Sequence, residues 1–336
     1  MQALICREPG RLELVERPAP TPEPGEVVVR IRRVGICGTD FHIYAGQHPY
    51  LAYPRVMGHE LAGEVADTNG TARLRIGQLV YINPYLACRA CHACRRGRPN
   101  CCMHLRVLGV HTDGGMVEFL CVPEANVQPA DGLSLDQAAM VEFLAVGAHA
   151  VRRSLATARD RVLVIGAGPI GLGVVAAATG QGCDTTVLDL REQRLAVCRD
   201  AFGITQTVLA DNEAETRLSE LTSGDLFDVV IDATGNAASI ERGVAYVAHA
   251  GAYVLVSVVK GAISFADPEF HKREMTLLGS RNALADDFAD VVAAIAAGRL
   301  PTARLSTHHG SLADLPEAMP RWMRPETGVV KALLEL

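Results

Sequence analysis

The sequence lacks several features that would assign a function class at once. No apolar run approaches the roughly 20 residues of a membrane-spanning helix. Basic residues are not in excess, since 32 of them stand against 38 acidic residues for a net charge of -6, and they are spread along the chain. A nucleic acid or an anionic membrane is therefore disfavoured as the main partner, and a small molecule is favoured.

The first residues also lack the pattern of a signal peptide. The segment MQALICREPGRLELVE carries charges throughout, without a basic start, an apolar middle and a small-residue cleavage site. The chain contains neither an internal repeat nor a low-complexity segment. We therefore expect a cytoplasmic protein, in which thiols stay reduced and a cysteine cluster binds metal more often than it forms disulfides.

The predicted secondary-structure pattern changes along the chain. With 336 residues the chain is longer than one hydrophobic core usually supports, which predicts two domains. A β-rich first part gives way from Leu135 to strands that alternate with helices, the pattern of a parallel sheet covered on both faces. We expect an α/β protein with a β-rich domain at 1–145, a doubly wound Rossmann domain at 146–284, and a segment at 285–336 that packs on the first domain.

A glycine-rich turn between a strand and a helix predicts a dinucleotide site. In RVLVIGAGPIGLG, Gly166, Gly168 and Gly171 have the G-x-G-x-x-G spacing that brings a pyrophosphate to a helix N-terminus. Asp189 ends the next strand, where a carboxylate can bind the ribose hydroxyls and repel a 2'-phosphate. NAD is therefore favoured over NADP, although Arg191 leaves NADP open. The alternative is a purely structural turn.

Five of the ten cysteines are crowded between residues 88 and 102. Four of them, Cys88, Cys91, Cys94 and Cys102, follow C-x2-C-x2-C-x7-C, which suits four thiolates around one tetrahedral, structural zinc ion. A disulfide-linked lobe is the alternative, with Cys101 as a possible substitute. The interspersed arginines are expected to form a solvated face: Arg89, Arg95, Arg96 and Arg98.

A second set of metal-binding residue types is dispersed. GICGTDFH contains Cys37, and VMGHE contains His59 and Glu60. Each of these residues alone carries little information, and His59 would ordinarily be taken as a core histidine. Beside a dinucleotide fold, however, three protein ligands leave the fourth position of a catalytic zinc open for water or an alcohol oxygen.

Taken together, these motifs resemble the zinc-dependent medium-chain alcohol dehydrogenase family. The similarity rests on GICGTDFH, GHE, the four-cysteine lobe and GAGPIGLG, and it extends over essentially the whole chain. It implies a GroES-like catalytic domain built from both chain ends around a central Rossmann domain. It also implies one catalytic and one structural zinc ion per chain, NAD as the oxidant, and a homodimer or homotetramer.

The resemblance assigns roles to several residues. Cys37 and His59 would be ligands of the catalytic zinc, and Asp40 would orient His59. Thr39 and His42 would form a relay that carries the alcohol proton to solvent. The resemblance therefore places the chemistry in this set and leaves the cysteine lobe a structural role.

The third ligand of the catalytic zinc stays open between two glutamates. Glu142, in AAMVEFLAVGAHAV, lies where some family members have a cysteine, which resembles the polyol and threonine dehydrogenase branch. That branch usually has proline after this glutamate, whereas this chain has Phe143. We favour Glu142, with Glu60 as its alternate, and a helix-start carboxylate is the other interpretation of Glu142.

Three further segments resemble the sugar-acid members of the branch, the L-galactonate and L-gulonate 5-dehydrogenases. They are FADPEFHKREMTLLGSRNA, YPRVMGHE and VLGVHTDGG. An aldonate substrate needs a cationic contact for its carboxylate, and Arg281 is the leading candidate, with His111 as a second lining residue. Arg281 pairing with Glu142 or the cofactor, and His111 lying simply on the surface, remain alternatives.

Two other functions stay open at this point. A polyol or L-threonine dehydrogenase would keep the zinc and NAD sites but would not need to recognise a sugar-acid carboxylate. A redox-sensing binding protein could use NAD and the cysteine lobe without turnover. Such a sensor, however, has no need for a zinc ion with an open position.

Overall fold

A computed structural model describes residues 1–48 and 51–336. The chain divides into two compact units, each formed from more than one segment. The first unit contains Met1–Glu142, Val292–Gly298 and Leu305–Leu336, and the second contains Phe143–Val291 and Arg299–Arg304.

The limits of these units lie close to the domain limits expected from the sequence, 145 and 284. The first change of unit comes after residue 142, and the main return to the first unit comes at 292 and again at 305. The sequence-based domain limits remain a prediction.

Eighteen strands occur within the described residues. In chain order they are β1 (Gln2–Glu8), β2 (Arg11–Glu16), β3 (Glu26–Ile36), β4 (Arg55–Val56), β5 (Glu60–Asp67), β6 (Leu79–Ile82), β7 (Tyr85–Leu86), β8 (Arg106–Val107), β9 (Phe119–Pro123), β10 (Val127–Pro129), β11 (Arg161–Ile165), β12 (Asp184–Asp189), β13 (Gln206–Leu209), β14 (Phe227–Asp232), β15 (Val247–Leu255), β16 (Thr276–Gly279), β17 (Ser306–Ser311) and β18 (Lys331–Glu335).

Twelve α-helices complete the described secondary structure, apart from four short 3-10 turns. They are α1 (Gly38–Tyr44), α2 (His92–Arg95), α3 (Leu135–Ala139), α4 (Val141–Ser154), α5 (Pro169–Gly180), α6 (Glu192–Phe202), α7 (Ala214–Leu221), α8 (Ala237–Gly243), α9 (Asp267–Lys272), α10 (Ala285–Ala296), α11 (Thr302–Leu305) and α12 (Leu315–Trp322). None of these helices combines the length and apolar character that crossing a bilayer requires.

The first unit is built on a seven-stranded sheet. Its strand order is β10-β6-β5-β3-β18-β17, and β9 also pairs with β3. A smaller sheet, β2-β1-β4, adjoins a core that contains Leu4, Val29, Leu61, Met116 and Leu334. The C-terminal strand β18 pairs antiparallel with β3, so the last strand of the chain belongs to the large sheet of the first unit.

The second unit contains a six-stranded sheet whose order is β13-β12-β11-β14-β15-β16. All five pairings are parallel, and the chain winds outward from β11 in both directions. Strands such as RVLVI are buried along almost their whole length because helices cover such sheets on both faces. This order is that of the doubly wound dinucleotide-binding fold, which confirms the predicted α/β class.

Several local features are not evident from the sequence. Helix α1 begins at Gly38, two residues after β3 ends. Met140 separates the end of α3 from the start of α4. Strand β17 was not foreseen, because STHHGS has few apolar residues and gains its place by pairing with β18. The run GAYVLVSVV contributes to β15, which lies inside the sheet, and β16 forms the edge.

Candidate active site

Strand pairing brings three distant parts of the chain to one end of the large sheet in the first unit. β3 runs into Cys37, and its antiparallel partner β5 starts at Glu60, so that Gly35 lies opposite Glu60. On the other side of β3, Ala332 of β18 lies opposite Ile36. The end of β3 is therefore flanked by residues from positions 59–60 and 331.

Cys37, His59 and Glu60 form a compact donor set at this place. One ligand atom from each lies within 4.8 Å of the others. His59 and Glu60 are buried, whereas Cys37 is partly exposed. Sulfur, nitrogen and carboxylate oxygen are the donors that zinc takes in proteins, and three of them leave one position of a tetrahedral ion open. The residues present therefore fit a catalytic zinc.

Asp40 is fully buried next to this set and supports its backbone. One carboxylate oxygen accepts a hydrogen bond of 2.9 Å from the Cys37 N–H, and the other accepts one of 3.3 Å from the Gly58 N–H. Burial raises the pKa of Asp40 above its usual value, while the charge of His59 opposes that rise. Asp40 thus fixes the backbone at Cys37 and immediately before His59. Sequence reasoning expected Asp40 to orient His59 but had not foreseen its bond to Cys37.

His59 is held in a strongly anionic environment. Burial would lower the pKa of His59, but the Cys37 thiol and the carboxylates of Asp40 and Glu142 raise it well above its usual value. Its Nδ1 atom is buried and has no hydrogen-bond partner among the described residues. Negative groups gathered around a buried imidazole with an unpaired nitrogen are what a divalent cation would compensate.

Thr39 and His42 lie on α1, one turn apart. Residues three positions apart lie on the same helix face. Thr39 is half-buried and His42 is exposed, so the pair extends from the donor set toward solvent. The placement suits the predicted proton relay.

Glu60 is paired with a lysine that the motif analysis did not single out. The Lys331 ammonium donates to both Glu60 oxygens at 2.7 Å and to the Ile36 carbonyl at 3.2 Å. Both side chains are fully buried. A Cβ atom on Gly35 would lie 2.1 Å from the Glu60 carboxylate, so glycine is required at that position.

Glu142, in the first turn of α4, lies beside the donor set without joining it. Of the described residues, only Cys37, His59 and Glu60 form that set of mutually close donor atoms. The Tyr85 hydroxyl donates to a Glu142 oxygen in a buried hydrogen bond. Burial raises the pKa of Glu142, while the charge of His59 opposes the rise. The structure therefore groups Glu60, and not the favoured candidate Glu142, with Cys37 and His59 as mutually close donors.

The four cysteines of the lobe converge as their spacing predicted. Their sulfur atoms all lie within 4.8 Å of one another, with separations of 3.4, 3.5 and 3.9 Å for three of the pairs. Four thiolates at about 2.3 Å from one zinc ion lie about 3.8 Å apart, so the sulfur positions fit a tetrahedral zinc. No disulfide occurs among the described residues, and the four arginines of the lobe are exposed.

Backbone N–H groups in the lobe point at the sulfur atoms. The N–H groups of Cys88 and His104 each donate to Cys102 at 3.3 Å. Backbone hydrogen bonds also lower the pKa of the Cys91 thiol to about 6. The lowered pKa favours the thiolate form of Cys91, which is the form that binds metal, whereas burial raises the pKa of Cys94 to about 12.

In the second unit, the glycine turn has the geometry of a phosphate-binding loop. Gly166 has a φ of 91°, a conformation that favours glycine. A Cβ atom on Gly171 would lie 1.7 Å from the Gly166 carbonyl oxygen, whereas one on Gly168 would meet only Arg194, at 3.6 Å. Gly171 therefore allows the helix to pack on the strand, and Gly168 leaves the start of α5 open to a ligand.

Asp189 ends β12 at the edge of a cavity of about 340 Å³. Its carboxylate accepts hydrogen bonds from the N–H groups of Ala167, at 2.6 Å, and Arg191, at 2.8 Å. Arg191 and Arg194 also line the cavity, and the Arg194 guanidinium lies 3.7 Å from Asp189. The cavity adjoins Gly166 and Gly168, so the predicted cofactor residues lie together.

Arg281 and His111 occupy separate places. Arg281 is exposed just after β16, at the carboxyl edge of the parallel sheet, which is the edge where ligands bind in such folds. His111 lies in the first unit, half-buried, and its Nδ1 accepts a hydrogen bond of 3.2 Å from the Val107 N–H. The other ring nitrogen, Nε2, then carries the proton when the ring is neutral.

Comparison with known proteins accounts for both units. Residues 23–132 match the model of the alcohol dehydrogenase GroES-like domain, and residues 169–297 match that of the zinc-binding dehydrogenase. The chain is 40% identical over 335 residues to the L-galactonate-5-dehydrogenase of Escherichia coli K12, covering 99% of this chain and 98% of that protein.

The chain belongs to the zinc-binding alcohol dehydrogenase family.

Two further proteins are similar to the dehydrogenase over nearly its whole length. It is 31% identical to the D-altritol 5-dehydrogenase of Agrobacterium fabrum, covering 91% of this chain and 94% of that protein. A crystal structure of a short chain alcohol dehydrogenase (rspB) from E. coli CFT073, complexed with NADH, superposes with a TM-score of 0.93 at 29% identity, covering 100% and 99% of the two chains. The predicted pairing of a GroES-like domain with a Rossmann domain is confirmed.

The dehydrogenase is therefore an oxidoreductase with a site suited to zinc. The residues that sequence reasoning missed here are Gly35, Tyr85, Arg194 and Lys331. Arg194 had a weak signal, because it follows Asp189 within the first turn of α6. Lys331 and Tyr85 had no such sequence signal. Each is far along the chain from the glutamate that it contacts, Glu60 or Glu142, and meets it only in the folded protein.

Proposed function

We propose that the dehydrogenase oxidises a secondary hydroxyl of a sugar acid of the L-galactonate or L-gulonate type and transfers the hydride to NAD. The observation that carries this proposal is the open Cys37–His59–Glu60 donor set. It occurs in a chain that is 40% identical to an L-galactonate-5-dehydrogenase over nearly its whole length. The reaction is the removal of a hydride and a proton from one CH–OH group.

The residues of the first unit handle the proton. Zinc bound at the donor set would act as a Lewis acid that lowers the pKa of an alcohol hydroxyl. Thr39 can accept and donate at the same time, and His42 can take the proton on to solvent. A positioned histidine base contributes about 10² to 10⁴ in rate, so His42 assists the reaction without being indispensable.

The residues of the second unit bind the oxidant. The glycine turn and the start of α5 would take the pyrophosphate, and Asp189 would take the adenosine ribose hydroxyls. A carboxylate has about four acceptor positions, so the two backbone N–H groups on Asp189 leave room for the ribose. Its negative charge favours NAD over NADP, and Arg191 and Arg194 reduce that preference.

The substrate's carboxylate needs a cation. Arg281 suits it, because a guanidinium binds a carboxylate through two parallel N–H bonds and the residue lies on the ligand-binding edge of its sheet. His111 would contribute an N–H donor to substrate hydroxyls. A polyol dehydrogenase is the second candidate, favoured by the 31% identity to D-altritol 5-dehydrogenase.

The test is NADH formation by zinc-loaded enzyme with L-galactonate, L-gulonate and the uncharged polyol galactitol, with NADP as a cofactor control. Turnover of a sugar acid together with poor turnover of galactitol is expected. Arg281→Gln should then raise KM for the acid and leave KM for galactitol unchanged. Turnover of galactitol alone would move the assignment to the polyol dehydrogenases, and no turnover of any of the three would reject both candidates.

We further propose that the enzyme acts in the cytoplasm as a homo-oligomer. Strand β16 is an edge strand of the parallel sheet, and Leu277 on it is 40% exposed. An exposed apolar edge is suited to pair with the same edge of a second chain. Light scattering after size exclusion would distinguish a monomer from a dimer or a tetramer.

A further inference from the structure

Two buried carboxylates lie beside the metal position, and their partners differ. Glu60 forms an ion pair with the Lys331 ammonium, whose nitrogen lies 2.7 Å from both carboxylate oxygens. Glu142 receives a neutral hydrogen bond from the Tyr85 hydroxyl. Glu60 belongs to the compact donor set with Cys37 and His59, and within the described part of the chain Glu142 is not a member of that set.

Tyr85 is held firmly enough to position a neighbour. Its N–H donates to the Asn83 side chain at 3.0 Å, and its carbonyl accepts from the buried Asn126 amide at 3.1 Å. The Asn126 amide also donates to the Asn83 carbonyl at 2.8 Å, so one side chain holds the backbone at Tyr85 in β7 and at Asn83 just before it. Tyr85 as a whole is 8% exposed. The backbone of Tyr85 is therefore fixed, and its hydroxyl is held in place to bond Glu142.

A free carboxylate beside a divalent cation would be drawn to it. The attraction is strong at short range in a buried site, and a fourth protein donor would close a tetrahedral ion. A closed ion has no position left for substrate. Something must therefore restrain Glu142 if the site is to stay open.

We propose that Tyr85 is a positioning residue of the metal centre, whose hydroxyl holds Glu142 outside the Cys37–His59–Glu60 donor set and so keeps one metal position open for substrate. Lys331 has the opposite effect on the other glutamate, because its two hydrogen bonds orient Glu60 inside the donor set. This inference rests on the proposed zinc site and deepens it, since it gives the two glutamates different roles.

The test is Tyr85→Phe, measured by zinc competition against a chromogenic chelator. The zinc of the cysteine lobe is an internal reference whose release should not change. Zinc at the second site is expected to bind at least about tenfold tighter, because Glu142 becomes a fourth donor. Turnover should fall at least about tenfold at saturating substrate, because the substrate position is filled. The Glu142→Gln,Tyr85→Phe double variant should match Glu142→Gln alone.

Tyr253→Phe is the matched control, since it removes another buried hydroxyl hydrogen bond, to the Ile240 carbonyl in the second unit. A fall of about 10- to 100-fold in zinc affinity for Tyr85→Phe would overturn the inference and make Glu142 a direct ligand supported by Tyr85. Unchanged zinc affinity would also overturn it and leave Tyr85 a structural residue. Wild-type enzyme with only one zinc per chain would instead reject the proposed metal site.

Discussion

The ion pair between Glu60 and Lys331 shows why single residues at this site are tightly constrained. A charge moved from water into a protein interior costs several kcal/mol unless a partner compensates it. Here the partner comes from a strand 271 residues further along the chain, and both side chains are fully buried. Removing either member alone therefore strongly destabilises the fold, even where the intact ion pair stabilises it little more than two apolar side chains would.

We expect Lys331→Met to lower the free energy of unfolding by about 3–5 kcal/mol, because Glu60 is left as an unpaired buried charge. Urea unfolding of the metal-free enzyme measures the loss, because a zinc ion at the donor set would itself compensate the Glu60 charge. Glu60→Gln in the same background should restore part of it, since the uncompensated charge is then removed. Lys272→Met is the control, because the Lys272 side chain is 65% exposed. A loss equal to that of the control would contradict the account.

At the residue scale, the sequence was informative where a motif had a fixed spacing. Cys37, His59 and the four lobe cysteines could be predicted because their chemistry is local and distinctive. Lys331 could not, since a lysine in GVVKALLEL is unremarkable until β18 pairs beside β3. The preference for Glu142 over Glu60 is not supported by the donor geometry, because sequence position does not reveal that Tyr85 holds Glu142.

Among the elements, helix α5 combines a close contact at one end with free space at the other. Gly171 lies against the Gly166 carbonyl, and a Cβ atom there has no room. Gly180, the last residue of the same helix, has nothing within 4 Å of an added Cβ atom. The helix thus provides a test position and a matched control.

We expect Gly171→Ala to destabilise the second unit and to weaken NADH binding at least about tenfold, since the helix must move away from the strand that carries the phosphate-binding turn. Gly180→Ala should be neutral or stabilising by up to about 1 kcal/mol, as alanine is the better helix former. NADH fluorescence titration and urea unfolding measure the two effects. Equal behaviour of the two variants would show that the close contact at Gly171 is unimportant.

A buried network joins α4 to the start of α10 within the second unit. Asp287 is fully buried and contacts the His149 ring at 2.7 Å, the Arg152 guanidinium at 2.6 Å and the Leu284 N–H at 2.7 Å. Burial alone would raise the pKa of Asp287, but these hydrogen bonds lower it below its usual 3.8. The ionised form is therefore the one that the folded protein stabilises.

A group with a lowered folded-state pKa stabilises the protein above its unfolded pKa, and the stabilisation is lost as pH falls through the folded value. We expect Asp287→Asn to reduce the free energy of unfolding by about 1–3 kcal/mol at pH 7. The difference from wild type should shrink as pH falls below about 3.8. Urea unfolding between pH 7 and 3 measures it, and a difference independent of pH would contradict the ionic role.

The helices and strands of the second unit were mostly predictable from sequence. Alternating apolar strands, the glycine turn and Gly203, which ends α6 in a left-handed conformation, each give a local signal. Short elements such as β17 and α11 had no such signal, because their stability comes from neighbours. The edge position of β16 follows from strand order, which a single strand's sequence does not encode.

On the scale of the whole molecule, the cysteine lobe is a second candidate metal site within the first unit. Its four sulfur atoms already lie near the spacing of a tetrahedral ion. The lobe backbone between β7 and β8 has little regular structure apart from α2 and a short 3-10 turn. A structural zinc there would replace the hydrophobic core that so short a segment lacks.

We expect Cys94→Ser to reduce the zinc content from two ions to one per chain and to lower Tm, while NADH affinity stays unchanged. The reason is that the lobe lies in the first unit and the glycine turn lies in the second. Atomic absorption, calorimetry and NADH titration give the three readouts. Cys101→Ser is the control, since Cys101 lies outside the four-sulfur group. An unchanged zinc content in Cys94→Ser would show that the lobe holds no metal.

The pairing of β3 with β18 also determines when the active site can form during synthesis, because β18 is synthesised long after β3. At about 5–20 residues per second, roughly 15–55 s separate the synthesis of Glu60 from that of Lys331. During that time the growing chain has Cys37 and His59 but lacks the lysine that orients the glutamate beside them. We therefore expect this site to be among the last parts of the newborn protein to mature, after the Rossmann sheet has emerged.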